Sequence, residues 1–176
     1  MNQFEVEART FITDSQYKNL VQRLKKIAKF KKEINEETVY YGSEKLRVRK
    51  DNKASYLILK SGKIHQDFRR EIEIKFQKED FEKMKELLER IGFPLRAVWL
   101  RKRKIYQWDG VKVLLDNTKG YGKIIELEKM AKENEKEKIF FELKNKLKKL
   151  GIEKITPKEV FDKKFKNYLK NWQKLI

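Results

Sequence analysis

Twelve ionisable residues recur at a spacing of two along separate short segments of this chain. They are Glu5, Glu7 and Arg9; Arg47 and Arg49; Arg69, Glu71 and Glu73; Arg101 and Arg103; and Glu126 and Glu128. Lys60 and Asp116 stand alone on further segments, and the whole set divides into seven cations and seven anions. A spacing of two places side chains on one face of a β-strand. Any one such pair is ordinary on a solvated strand face. Repetition over five segments points to chemistry. Convergent carboxylates bind hard divalent ions such as Mg²⁺ or Mn²⁺, and Arg and Lys bind phosphoryl oxygens. A face carrying both signs equally suits a metal ion together with a polyphosphate. A groove built only for nucleic acid has no use for so many carboxylates.

The elements that must position these residues are strands interleaved with helices. Residues 4–12 read as a strand with Phe4, Val6 and Ala8 opposite the charged face. Asp14 is the expected N-cap of a helix over residues 15–29, where Tyr17, Leu20, Val21, Leu24 and Ile27 follow at helical spacing. Further strands are expected at residues 37–41, 46–49, 56–60, 68–76, 98–108, 111–116 and 124–130. Asp109-Gly110 is a strong two-residue hairpin signal. A helix carrying Phe81, Met84, Leu87, Leu88 and Ile91 ends at Gly92. Two more close the chain, the first with Ile139, Leu143, Leu147 and Leu150, the second opened by the capping box Thr156-Pro157-Lys158-Glu159. The apolar strand faces (Leu46/Val48, Phe68/Ile72/Ile74/Phe76, Ile125/Leu127) are expected to pack under helices, which turns the charged faces inward. A charged interior is costly to desolvate and is kept where something charged binds.

Composition narrows the partners. The 176 residues make one domain, and no apolar run spans a bilayer. Cysteine is absent and His65 is the single histidine, so any metal must be held by carboxylates. These features fit a cytoplasmic protein. The net charge of +18 suits a polyanionic partner, and equally the Lys-, Ile- and Asn-rich composition of AT-rich coding sequence. The balanced charge of the strand faces puts that surplus on the outer surface, on lysines such as Lys146 and Lys148.

In order along residues 3–130, these motifs resemble those of the CYTH domain family, the triphosphate tunnel metalloenzymes. Glu5-Val6-Glu7-Ala8-Arg9 resembles the family's opening E-x-E-x-K with arginine for lysine, and Leu46-Arg47-Val48-Arg49 its L-R-x-R. Arg69-Arg70-Glu71-Ile72-Glu73 resembles R-x-E-x-E, and Arg101-Lys102-Arg103 resembles K-x-R. Leu115-Asp116 and Glu126-Leu127-Glu128 resemble the closing L-D and E-x-E. The resemblance implies an α+β fold: a closed eight-stranded antiparallel tunnel with flanking helices, as a single domain over 1–176. It implies a metal-dependent enzyme in which Glu5, Glu7, Asp116, Glu126 and Glu128 hold Mg²⁺ or Mn²⁺. Arg9, Arg47, Arg49, Lys60, Arg69, Arg101 and Arg103 would hold the phosphates, with Arg9, Glu71 and Glu73 closest to the chemistry. Family members include class IV adenylyl cyclases, thiamine triphosphatases and inorganic triphosphatases. Their substrates are ATP, thiamine triphosphate and tripolyphosphate.

Among these reactions hydrolysis leads, because no adenine pocket is legible; cyclisation of ATP comes second, and a non-catalytic polyphosphate- or RNA-binding module third. The expected assembly is a monomer or homodimer without membrane contact. Arg9 departs from the family lysine, being bulkier and unable to lose its proton. Gly120-Tyr121-Gly122 lacks the Lys-Ser/Thr and helix of a phosphate loop and reads as a turn. Trp99, Trp108 and Trp172 read as packing residues and His65 as a solvated turn residue.

Overall fold

A computed structural model describes residues 4–42, 45–60 and 71–176. Its strands are β1 (Phe4–Ile12), β2 (Lys29–Tyr41), β3 (Leu46–Lys50), β4 (Ser55–Lys60), β5 (Glu71–Phe76), β6 (Leu95–Trp108), β7 (Val111–Thr118) and β8 (Gly122–Ala131). The helices are α1 (Asp14–Ile27), α2 (Phe81–Arg90), α3 (Lys136–Lys149) and α4 (Lys158–Leu175). The expected eight-stranded antiparallel sheet with flanking helices is present, in the order β1-β8-β7-β6-β2-β3-β4-β5. β1 and β5 end that order, and no ladder joins them among the described residues. The chain divides into two compact units, with β2, β6, α4 and (by its last residue) β7 shared between them.

In the first unit (residues 1–33, 103–117 and 122–161) the period-two pattern sorts residues as expected. Val6 and Ala8 of β1, Val113 and Leu115 of β7, and Ile125 and Leu127 of β8 form one apolar face. Leu20 and Leu24 of α1, with Leu143 and Leu147 of α3, cover it. Each fully buried Leu or Ile there stabilises the fold by about 1.5–3 kcal/mol. Glu5, Glu7, Arg9, Asp116, Glu126 and Glu128 therefore occupy the opposite face. Thr13, not Asp14, caps α1: its hydroxyl accepts from the Gln16 N–H, and the Gln16 side chain accepts from the Thr13 N–H. Asp14 is then the first helical residue and pairs with Lys123 at 2.6 Å.

The Asp109-Gly110 hairpin forms, with φ of 46° and 74° at its two central residues. Lys146 proves to be no surface lysine. It lies one turn from Leu143 on the buried stripe of α3, with only 7% of its surface exposed. Its stem follows the apolar face while its ammonium reaches Asp109 at 2.5 Å over the Trp108 ring. The expected capping hydroxyl of Thr156 is engaged by β1, bonding Thr10 Oγ1 at 2.8 Å and the Phe11 N–H at 3.1 Å.

In the second unit (residues 34–102, 118–121 and 162–176) Val39, Tyr41 and Val48 pack against Phe81 and Leu88 of α2. Leu57 and Phe76 join that core. Ile72 and Ile74, expected beneath a helix, are instead 46% and 56% exposed. The ten residues of α2 cover the Leu57–Phe76 end of the β4–β5 pair and reach no further among the described residues. Gly120 (φ 70°) makes the turn between β7 and β8, and α4 approaches it so closely that a Cβ would lie 2.5 Å from that of Leu175. Among the described residues no helix is long and apolar enough to cross a membrane.

Candidate functional site

The first unit assembles carboxylates by strand register. β1 and β8 run antiparallel with Glu7 opposite Glu128 and Arg9 opposite Glu126. Directly opposed like charges are destabilising, so a cation is called for between them. One oxygen from each of Glu7, Glu126 and Glu128 falls within 4.8 Å of the others. Glu126 and Glu128 are buried, while Glu7 is exposed on its strand. Burial, and then the hydrogen bond and charge of Glu7, push the Glu126 carboxyl up to about 8, against the opposing pull of Arg103. Burial also raises Glu128, helped by the charge of Glu126 and opposed by the ammonium of Lys112. Three converging carboxylate oxygens, two of them on the buried and raised Glu126 and Glu128, make a donor set that fits a hard divalent ion.

Two expected metal ligands lie outside this trio. Asp116 receives both Nε and a terminal nitrogen of Arg103, at 2.6 and 2.7 Å. The same guanidinium stands 3.6 Å from Glu126. Arg103, expected on phosphate, is thus engaged by carboxylates and offsets part of their charge. Glu5 is exposed and sits opposite Met130. Arg9 lies over the Phe161 ring, 4.8 Å from its centroid, with Glu7 at 3.6 Å.

The second unit gathers cations. Arg47 stands opposite Tyr40 in the β2–β3 register and stacks over its ring at 4.9 Å. Arg49 stacks over Tyr56 at 4.5 Å and donates to Glu73 at 3.0 Å. The Nε atoms of both arginines are buried without an acceptor among the described residues. Arg101 donates through Nε to Glu36 at 2.7 Å, and its terminal nitrogen bonds the same oxygen. Lys60 and Glu71 face each other in the β4–β5 register; their side chains, and the whole of Arg69 and His65, lie outside the described residues. Trp99 packs against Tyr121 and Tyr168, with ring centroids 4.5 and 5.0 Å apart.

The sequence expectations omit two residues of these constellations. Lys112 pairs with Glu128 at 2.5 Å; it lies on β7 at the spacing that links it to Asp116, which is the signal that finds it. Glu36, buried against Arg101, needs β2 to begin before residue 37, and its period-two link to Thr38 and Tyr40 is then visible.

The CYTH domain family model matches residues 3–159. An adenylate cyclase candidate of Methanocaldococcus jannaschii is 32% identical over 165 residues, covering 85% of this chain and 91% of that protein. Among solved structures, the PH1012 protein of Pyrococcus horikoshii superposes with a TM-score of 0.69 at 26% identity, over 88% of this chain and 95% of its own. A Hippeastrum adenylyl cyclase candidate, described as having a dominant triphosphatase activity, shares the fold. Its TM-score is 0.62 at 22% identity, over 86% of this chain and 89% of its own. A match over nearly the whole chain, on strands that carry the family's paired charges, makes this protein a member of the CYTH domain family.

Proposed function

We propose that this protein is a divalent-metal-dependent enzyme acting on triphosphates, and that its reaction is hydrolysis. The observation that carries the reading is the convergence of Glu7, Glu126 and Glu128 within 4.8 Å, two of them buried and raised in pKa. Carboxylates held this way gain from a bound cation. These three residues would hold Mg²⁺ or Mn²⁺, with Asp116 and Glu5 nearby on the same strand faces. A divalent ion bound there supplies charge neutralisation and polarisation of phosphoryl oxygens.

The remaining work falls to this chain's own side chains. Arg47, Arg49 and Arg101 bind phosphate oxygens, with Lys60 and Arg69 as further contributors. The orphaned Nε atoms of Arg47 and Arg49 support this role, because a buried donor without an acceptor is costly unless a ligand supplies one. Glu36 and Glu73 orient Arg101 and Arg49, and Tyr40 and Tyr56 fix the planes of Arg47 and Arg49. Arg9, stacked on Phe161, contributes positive charge and no proton transfer. Stabilisation of the transferring phosphoryl group is therefore mainly electrostatic.

A second reading is cyclisation of ATP, favoured by the name of the Methanocaldococcus jannaschii relative. Against it, Trp99, the aromatic beside Arg101, is spent on packing with Tyr121 and Tyr168 and offers no base platform. Product analysis separates the readings. Tripolyphosphate, thiamine triphosphate and ATP are incubated with the protein, with and without Mn²⁺. The expected result is metal-dependent orthophosphate release from tripolyphosphate or thiamine triphosphate. Cyclic AMP with pyrophosphate from ATP, and no orthophosphate from the others, would establish the cyclase. No turnover of any of the three would leave a binding module.

A further inference from the structure

Between Asp14 and Glu33 the chain contains no acidic residue. Arg23, Lys25, Lys26, Lys29, Lys31 and Lys32 crowd the end of that stretch, running from the last turns of α1 into β2. All six are exposed, and none has a carboxylate partner among the described residues. Elsewhere in the same unit three lysines are matched: Lys112 with Glu128 at 2.5 Å, Lys129 with Glu142 at 2.8 Å and Lys146 with Asp109 at 2.5 Å. Even the acids that bound the stretch are taken, Asp14 by Lys123 and Glu33 by Lys104. Lys138, Lys148 and Lys149 of α3 are likewise exposed and without a carboxylate partner among the described residues, so what sets the α1–β2 junction apart is the aromatic ring held among its lysines.

Two structural explanations cover part of the run. Lys25 and Lys26 lie in the last turn of α1, where cations complement the helix dipole. The ladder of β2 with β3 covers only Glu37–Tyr41, so lysines earlier in β2 discourage strand addition. Neither explains Phe30, which sits among these lysines with half of its surface exposed and one edge against Tyr106, centroids 5.3 Å apart. An aromatic ring held at a fixed angle within a cluster of unpaired cations is how proteins bind single strands: cations follow the phosphates and the ring stacks a base. Only Ile27 and Phe30 offer apolar surface here, too little for insertion into a bilayer.

The structure assigns to the α1–β2 junction a second binding surface, for single-stranded nucleic acid, with the lysines on the phosphate backbone and Phe30 on a base. It does not depend on the triphosphate reading. The test uses the full chain and fluorescence anisotropy with a labelled single-stranded RNA of about 20 nucleotides, over a salt series. Three variants are compared with the unaltered protein: Lys25→Gln/Lys26→Gln/Lys29→Gln/Lys31→Gln, Phe30→Ala, and a charge-matched control, Lys138→Gln/Lys148→Gln/Lys149→Gln/Lys163→Gln. At about 0.7 per phosphate contact, the first should flatten the log–log salt slope by up to about 2.8 and weaken binding at least tenfold. Phe30→Ala should weaken binding about fivefold or more while leaving the slope unchanged. The control should do little. Equal loss in the control would reduce the effect to net charge and overturn the proposal. So would the absence of RNA binding, or lysine-dependent binding to phosphatidylserine vesicles in preference to RNA. Phe30→Ala removes no charge and keeps the test sound if the quadruple variant folds poorly.

Discussion

The acidic strands of the first unit and the arginine-bearing strands of the second handle buried charge in opposite ways. On β1 and β8 like charges are brought together: Glu7 faces Glu128, and Glu126 is raised to about 8. The partial compensation comes from Arg103 and Lys112, at 3.6 Å from Glu126 and 2.5 Å from Glu128. In the second unit Arg47 and Arg49 of β3 and Arg101 of β6 are instead each given their own support, Glu36 for Arg101, Glu73 and Tyr56 for Arg49, and Tyr40 for Arg47. The first arrangement is under-compensated and gains from a mobile cation. The second is preorganised and gains from an anion. The contrast predicts that metal and pH act on one region and substrate affinity on the other.

The largest effect should come from the arginine that has least compensation. Arg47→Met should lower kcat/KM for tripolyphosphate by about 100-fold, the size expected for removing one preorganised charge on a phosphoryl group. A change below about threefold would show that Arg47 does not touch substrate. Glu36→Gln should act more gently, by about tenfold and mainly through KM, because it loosens Arg101 without removing it. Equal loss in kcat would place Glu36 in the chemistry itself.

A pH effect should be confined to the carboxylates. Glu126 has a folded pKa above its ordinary 4.5, so its protonated form favours the fold. That contribution is complete below about 4.5 and is lost as pH rises through about 8. Without metal, the melting temperature should therefore fall across this window. Metal binding requires the deprotonated form, so the rise in melting temperature on adding Mn²⁺ should be larger at pH 8 than at pH 6. Glu126→Gln should flatten the metal-free slope; a slope unchanged in that variant would assign it to another group. The smallest effect is expected at Lys146→Met, which keeps the packing of α3 and loses the Asp109 contact. The melting temperature should drop by a few degrees with turnover unchanged, measured by thermal melts and phosphate release.

The two regions also differ in how far they can be read from sequence. Glu5-Val6-Glu7-Ala8-Arg9 and Arg47-Val48-Arg49 announce their faces because apolar and charged residues alternate strictly. The first half of β2 does not: Lys29 to Glu36 is almost continuously charged, so neither period shows, and Glu36 is hidden with it. The Arg103–Asp116 pair is a different case. Asp109-Gly110 fixes a two-residue turn, and counting six residues outward on each side pairs Arg103 with Asp116. Treating the two residues separately, as phosphate ligand and metal ligand, overlooks that register. The opposition of Glu7 and Glu128 cannot be counted from any turn, since β1 and β8 are joined through the rest of the sheet. Lys146 misleads because a lysine on a helix stripe can lay its stem along the core and still reach a carboxylate.

Titration of Mn²⁺ into the protein, followed by electron paramagnetic resonance, tests most directly the proposal that Glu7, Glu126 and Glu128 hold a divalent ion. The wild-type chain should bind Mn²⁺ at pH 8, and Glu126→Gln/Glu128→Gln should lose that binding together with metal-dependent phosphate release, while its circular dichroism stays that of the wild type. Undiminished Mn²⁺ binding and turnover in the double variant would contradict the assignment of this cluster as the metal centre.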